Sequence, residues 1–225
     1  MVTIADNIKK YIQELPSTVK LVAVSKFNPN EAIIEAYNAG QRIFGESRPQ
    51  ELLQKVQSLP KDIQWHFIGH LQTNKLKMVL PYVSLIHSID SKKLLLEVNK
   101  YAIANNLKVN CLLEMHIAQE ESKQGFSKEE ILQIMEESVT GPLQGVNICG
   151  LMGMASFVDD SEQISKEFGV LKSFYDQLRE KYISTHPNFN ELSMGMSGDY
   201  KIAIEYGSTM VRIGTSIFGA RNYNK

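Results

Sequence analysis

Three places in this chain set chemically competent groups among apolar or small residues. The first is Lys26, which follows Leu21-Val22-Ala23-Val24-Ser25. Side chains alternate along an extended strand, so Val22, Val24 and Lys26 share one side. If the valines face a core, the ammonium is partly desolvated. Its pKa then falls, and the neutral amine becomes a nucleophile able to form a Schiff base with a carbonyl. A lysine just past a strand can equally turn out into water, and the local sequence leaves both readings open.

The second is Arg212, between Val211 and Ile213. Alternation turns it inward while its neighbours face outward. A guanidinium cannot shed its charge, so burial demands an acceptor, either a structural carboxylate or a bound ligand. The third is a pair of small-residue stretches, Ser193-Met194-Gly195-Met196-Ser197-Gly198-Asp199 and Gly214-Thr215. Glycines and hydroxyls there leave backbone N–H groups accessible at the start of a helix, an arrangement suited to an anion. Tight turns and close packing call for the same glycines.

Other acid–base candidates are His66, His70, His87 and His116, with Tyr200 and Tyr206. His70 is the best placed, just past the third strand, although a lone histidine is commonly structural. The sequence shows no pair of carboxylates and no His/Cys cluster at metal-ligand spacing, so no metal is expected.

These groups need a scaffold, and the hydrophobic periodicity supplies one. Runs rich in β-formers occur at Leu21–Ser25, Arg42–Phe44, Trp65–Ile68, Leu85–Ile89, Val109–Met115, Val146–Met152, Glu191–Met196 and Met210–Phe218. Helical spacing lies between them at Asn30–Ala39, Pro49–Leu59, Ser91–Asn105, Lys128–Ser138 and Asp160–Lys181, with shorter helices near Thr73–Leu80 and Gly198–Tyr206. Ser91, Ser127 with Glu130, and Asp160 read as helix caps. Strands alternating with helices imply parallel pairing through right-handed crossovers. Eight such units in 225 residues favour a closed (β/α)8 barrel. An open doubly wound sheet would carry a glycine-rich loop after its first strand, where this chain reads Ser25-Lys26-Phe27-Asn28. Residues 1–225 therefore read as one α/β barrel domain, with an amphipathic helix within Met1–Pro16 packed on its outside.

In a barrel, function gathers at the C-terminal ends of the strands, and phosphate sites form from the loops after strands 7 and 8. Lys26 and both small-residue stretches fall on that face. The 24 basic and 25 acidic residues, net charge −1, are mixed along the chain, which gives no electrostatic reason to expect nucleic acid or a membrane surface. Two cysteines in strand-like runs, Cys111 and Cys149, point to a reducing compartment. With no secretory leader and no membrane-length apolar run, a cytoplasmic location is expected.

Several segments resemble a known family. They include Ala23-Val24-Ser25-Lys26, Phe44-Gly45-Glu46, the stretch from Trp65 to Lys75, Gly150-Leu151-Met152, Leu192 to Ser197, and Gly207 to Gly219. Together they are similar to the pyridoxal 5′-phosphate (PLP) homeostasis protein family, over about residue 5 to Arg221. The resemblance implies a fold like the N-terminal barrel of alanine racemase, with PLP held as a Schiff base on Lys26. It implies phosphate contacts from Ser197, Gly214 and Thr215, and Arg212 directed at the pyridine nitrogen. Phe44, Asn74 and Met194 are implied as further wall or ring contacts. One position departs: Ser47 follows Phe-Gly-Glu where the family usually has asparagine, so a contact by that amide is not carried over.

An arginine at the ring nitrogen disfavours the pyridinium form and weakens the electron sink that PLP enzymes use. The resemblance also implies that the β-rich second domain of alanine racemase, with its tyrosine base, is missing. The expected role is a monomeric PLP carrier or buffer serving PLP-dependent apo-enzymes, with no catalytic residue assigned. A weak single-domain amino-acid racemase is the alternative, and a cofactor-free Schiff-base aldolase on a phosphosugar is a third reading.

Overall fold

The structure, a computed structural model, describes residues 2–119, 124–141 and 143–219. Eight parallel strands close into a barrel in sequential order: β1 Lys20–Val24, β2 Ile43–Glu46, β3 Gln64–Phe67, β4 Leu85–Ile89, β5 Val109–Met115, β6 Val146–Gly153, β7 Glu191–Met196 and β8 Met210–Ile213. Closure comes from β1 pairing with β8, Leu21 opposite Val211 and Ala23 opposite Ile213. Helices α2 Asn30–Asn38, α3 Pro49–Ser58, α4 Leu76–Val79, α5 Lys92–Ala104, α6 Lys128–Thr140, α7 Ser161–Tyr182 and α8 Tyr200–Glu205 follow strands 1 to 7. The connection after β3 opens with a 3-10 turn, Thr73–Lys75, before α4. The eighth strand ends at Ile213, earlier than periodicity suggests. Gly214 breaks it, and Thr215–Phe218 form the short α9.

Alternation sorts the core into two layers. Val22, Leu85, Leu112, Met152 and Met210 fill the barrel, and Ala23, Phe44, Trp65, Phe67, Leu192 and Val211 pack outward beneath the helices. The predicted caps form: Ser91 accepts from Leu94 N, Ser127 and Glu130 make a capping box, and Asp160 accepts from Glu162 and Gln163 N. The N-terminal helix α1, Ile4–Glu14, lies outside the barrel against α2 and α9. Asn7 donates to the Ile217 carbonyl at 3.0 Å, and the Tyr11 ring meets Tyr200 edge-on.

Two glycines are dictated by the strands. Gly150 has φ 151°, and a Cβ there would sit 1.7 Å from the Glu191 carbonyl oxygen, so β6 and β7 approach this closely only without one. Gly195, φ 95°, lies in the irregular stretch where the β7–β8 register shifts.

Candidate functional site

The site forms where β1, β7 and β8 end side by side. Ser25 turns outward, its hydroxyl on Glu46 beneath α3, and Lys26, half-buried, lies in the turn two residues past the end of β1. A Cβ added to Gly214 would lie 3.3 Å from both Val24 Cβ and Val24 O, which brings the β8 turn directly against the strand that carries Lys26. Gly214 is the residue before α9, and Thr215 opens that helix, exposed. Met196 pairs with Arg212, which places Ser197 just beyond the arginine's strand. Lys26, Ser197, Arg212, Gly214 and Thr215 therefore converge on one rim of the barrel.

Arg212 is buried, and its guanidinium is held by three bonds. Nη1 donates to Ser193 O at 3.0 Å and Ser193 Oγ at 2.6 Å, and Nη2 donates to Gly153 O at 3.2 Å. Gly153 is the last residue of β6, so the charge lies near the C-terminal rim. Burial lowers its pKa to about 10, opposed by Glu114 and Asp199, and it stays a cation at neutral pH. Glu114 on β5 is the buried acid that faces this charge. Burial pushes its carboxyl up to about 7, Asp90 adds to the shift, and Arg212 and His70 oppose it.

Below Arg212 a polar chain crosses the barrel. Ser193 Oγ meets His87 Nδ1 at 2.9 Å, and His87 Nε2 meets His66 Nδ1 at 2.9 Å. Burial drives His66 down to about 3 and lowers His87, whose neighbours His66 and Arg212 push it the same way. Both rings are neutral. Arginine only donates, so the Ser193 hydroxyl accepts from Arg212, and the His87 tautomer sets the direction of its bond to His87. His70 is exposed and hydrogen-bonds Asp90 at 2.9 Å.

Two of the expected contacts do not face this site. Phe44 is fully buried in the outer layer, its ring centroid 5.9 Å from Trp65, because its neighbour Gly45 takes the inward position against Val22. Met194 is likewise buried in the outer layer beside Leu192, and Ser193 points inward. Asn74 lies exposed in the 3-10 turn after β3. Sequence reasoning missed Ser193 and Glu114 as site residues and the pairing of His66 with His87. A usable signal was present: each is a polar residue at an inward position of a strand, where burial requires a partner.

The fold and the rim it builds define a barrel of the alanine racemase N-terminal type, and that domain's sequence pattern matches residues 2–222. A pyridoxal phosphate homeostasis protein from Aquifex aeolicus is 42% identical over 205 residues, covering 91% of this chain and 88% of that protein. The Homo sapiens protein of the same name is 41% identical over 219 residues, 92% of this chain and 78% of the relative. PipY of Synechococcus elongatus, solved with PLP bound, superposes with TM-score 0.83 at 34% identity, covering 96% of this chain and all of PipY. An alanine racemase from E. faecalis shares the fold at TM-score 0.73 and 16% identity, over 96% of this chain and 57% of its own. The chain belongs to the pyridoxal phosphate homeostasis protein family.

Proposed function

We propose that this protein holds PLP covalently on Lys26 and buffers it or delivers it to PLP-dependent apo-enzymes, without turning over a substrate of its own. The observation that supports this reading is that Lys26, half-buried, follows directly on the strand end where Val24 packs against the Gly214 turn. The donor set fits the cofactor: an amine for an aldehyde, hydroxyls and a bare glycine for a phosphate, and a fixed cation for a ring nitrogen. When bound, PLP would supply an aldehyde, and the Lys26 amine would be the group that holds it covalently. Ser197, Gly214 and Thr215 would hold the phosphate, and Asn74, exposed in the turn after β3, would be a further contact. Arg212 would face the ring nitrogen as a donor that keeps its proton at neutral pH.

That choice of cation supports a carrier, because the ring's electron sink is weakest when its nitrogen is not protonated. His66 and His87 are held neutral inside the barrel with each other and Ser193 as partners, which withdraws them from acid–base work at the rim. Glu114, poised near neutrality, is the feature that favours residual catalysis. The same reading takes one barrel domain, a monomer, as the working unit in the cytoplasm. The free, buried Cys111 and Cys149 are consistent with a reducing compartment, and no described helix is long and apolar enough to cross a membrane.

The test is the visible spectrum of purified wild type beside Lys26→Ala, before and after borohydride reduction. The expected result is a band near 420 nm, a property of the cofactor's Schiff base, in wild type alone, with a reduced adduct on the Lys26 peptide. No band in either protein after incubation with PLP refutes the assignment. Racemisation of amino acids that is lost in Lys26→Ala would replace the carrier with an enzyme.

A further inference from the structure

Directly behind Lys26 lies a buried ionic cluster that none of the roles above uses. Lys55, on α3, has its side chain 5% exposed and spends all three ammonium hydrogens. They go to Ser25 O at 2.9 Å, Glu46 Oε1 at 2.7 Å and Glu51 Oε1 at 2.6 Å. Glu51 Oε1 also accepts from Phe27 N at 2.7 Å, and the Ser25 hydroxyl donates to Glu46 Oε1 at 2.5 Å. Glu51 and Lys55 stand one helical turn apart, so the turn of α3 that faces the β1 loop supplies both halves of the grip.

What the cluster grips is the peptide on either side of the reactive lysine: the carbonyl of residue 25 and the amide of residue 27. Phe27 sits at φ 65°, a left-handed conformation that a side chain with a Cβ adopts only when its surroundings enforce it. Arg48 stacks over the Phe27 ring at 4.5 Å and Asn28 N returns to Ser25 O at 3.1 Å, closing the turn. A lysine has four rotatable side-chain bonds, so the direction of its stem depends on the backbone that launches it. Burying charged groups to hold two backbone atoms is costly unless their polar atoms are met: every donor of Lys55 is met, while Glu46 Oε2 is left without a partner.

We infer that Glu51 and Lys55 are positioning residues for Lys26, holding the Ser25 carbonyl and Phe27 amide so that its amine is launched into the barrel mouth. Neither touches the cofactor in this assignment, and it rests on the carrier reading above. Loss of the clamp frees the turn at Phe27, lets Lys26 sample outward directions, and slows covalent capture without emptying the phosphate cradle.

The experiment compares wild type with Glu51→Ala, Glu51→Gln and Lys55→Met in two readouts. In the apo-protein, amide exchange at Phe27 is measured by NMR against strand amides of β4 to β6. With added PLP, the rate of covalent attachment is read from the visible band, beside the thermal midpoint. Glu51→Ala and Lys55→Met should speed Phe27 exchange at least about tenfold, with β4 to β6 unchanged. Attachment should slow about ten- to a hundredfold, the usual penalty for a misaimed reacting group. Glu51→Gln keeps an acceptor for the Phe27 amide and should recover most of both. Attachment at the wild-type rate in a variant whose Phe27 amide exchanges freely overturns the inference, as does a slowing matched by general loss of β4 to β6 protection. A wild type that captures no PLP on Lys26 instead refutes the carrier reading itself.

Discussion

Replacing Ser193 with alanine should cost this barrel more than a surface hydroxyl normally would. Its Oγ accepts from the buried Arg212 at 2.6 Å and contacts His87 Nδ1 at 2.9 Å. The bond to Arg212 is charge-assisted, worth roughly 1.5–3 kcal/mol, but Nη1 keeps the Ser193 carbonyl at 3.0 Å, so part of it survives. His87 has no exposed surface, and its Nδ1 is left without the hydroxyl, a further loss of about 1–3 kcal/mol for a buried polar atom. Together these give about 3 kcal/mol, or about 6–12 °C in thermal midpoint for a chain of this size. The measurement is urea and thermal unfolding of apo wild type and Ser193→Ala, so that bound PLP does not add its own stabilisation. A loss below about 1 kcal/mol would mean that the chain from Arg212 to His66 is not a coupled network.

The pH dependence of stability should follow from four buried groups. His66, lowered to about 3, and His87, lowered in the same direction, are neutral in the fold, so their contribution is whole above about pH 6.5 and lost as pH falls towards 3. Glu46 and Glu114, both raised to about 7, take up a proton first in the folded state and add stability between about pH 7 and 4.5. The urea midpoint of the apo-protein should therefore stay level from roughly pH 6.5 to 4.5 and fall steeply below. Glu46→Gln should tilt the level stretch into a decline, and a wild type that already declines there contradicts the assignment. Gly150→Ala would force β6 and β7 apart at Glu191, at a cost of about 3 kcal/mol or more; near-wild-type unfolding would show that the strands can part freely.

Much of the scaffold was legible before any coordinates. The expected bounds of β4, β5 and β7 coincide with those found, because each is a run of β-formers ended by a polar or glycine-bearing turn. Capping residues marked the starts of α5, α6 and α7 for the same local reason. Arg212 was placed by alternation alone, since a strand's period of two holds along its length; Lys26 lies two residues past the end of β1, in the turn, where alternation no longer applies. Phe44 and Met194 failed the same test only because they were taken from a motif; their own alternation turns them outward, opposite Gly45 and Ser193.

What the tertiary structure decided is partnership. Which acceptors satisfy a buried cation depends on strands far apart in sequence, such as Ser193 and Gly153 meeting Arg212. Glu114 becomes an acid near neutrality only once β5 is closed into the barrel and water is excluded. The grip on Lys26 depends on how far α3 swings back across β1, a distance that no local pattern encodes. Periodicity is a property of neighbouring residues and is written in the chain; desolvation and charge pairing are properties of enclosed space, and exist only after the barrel has closed.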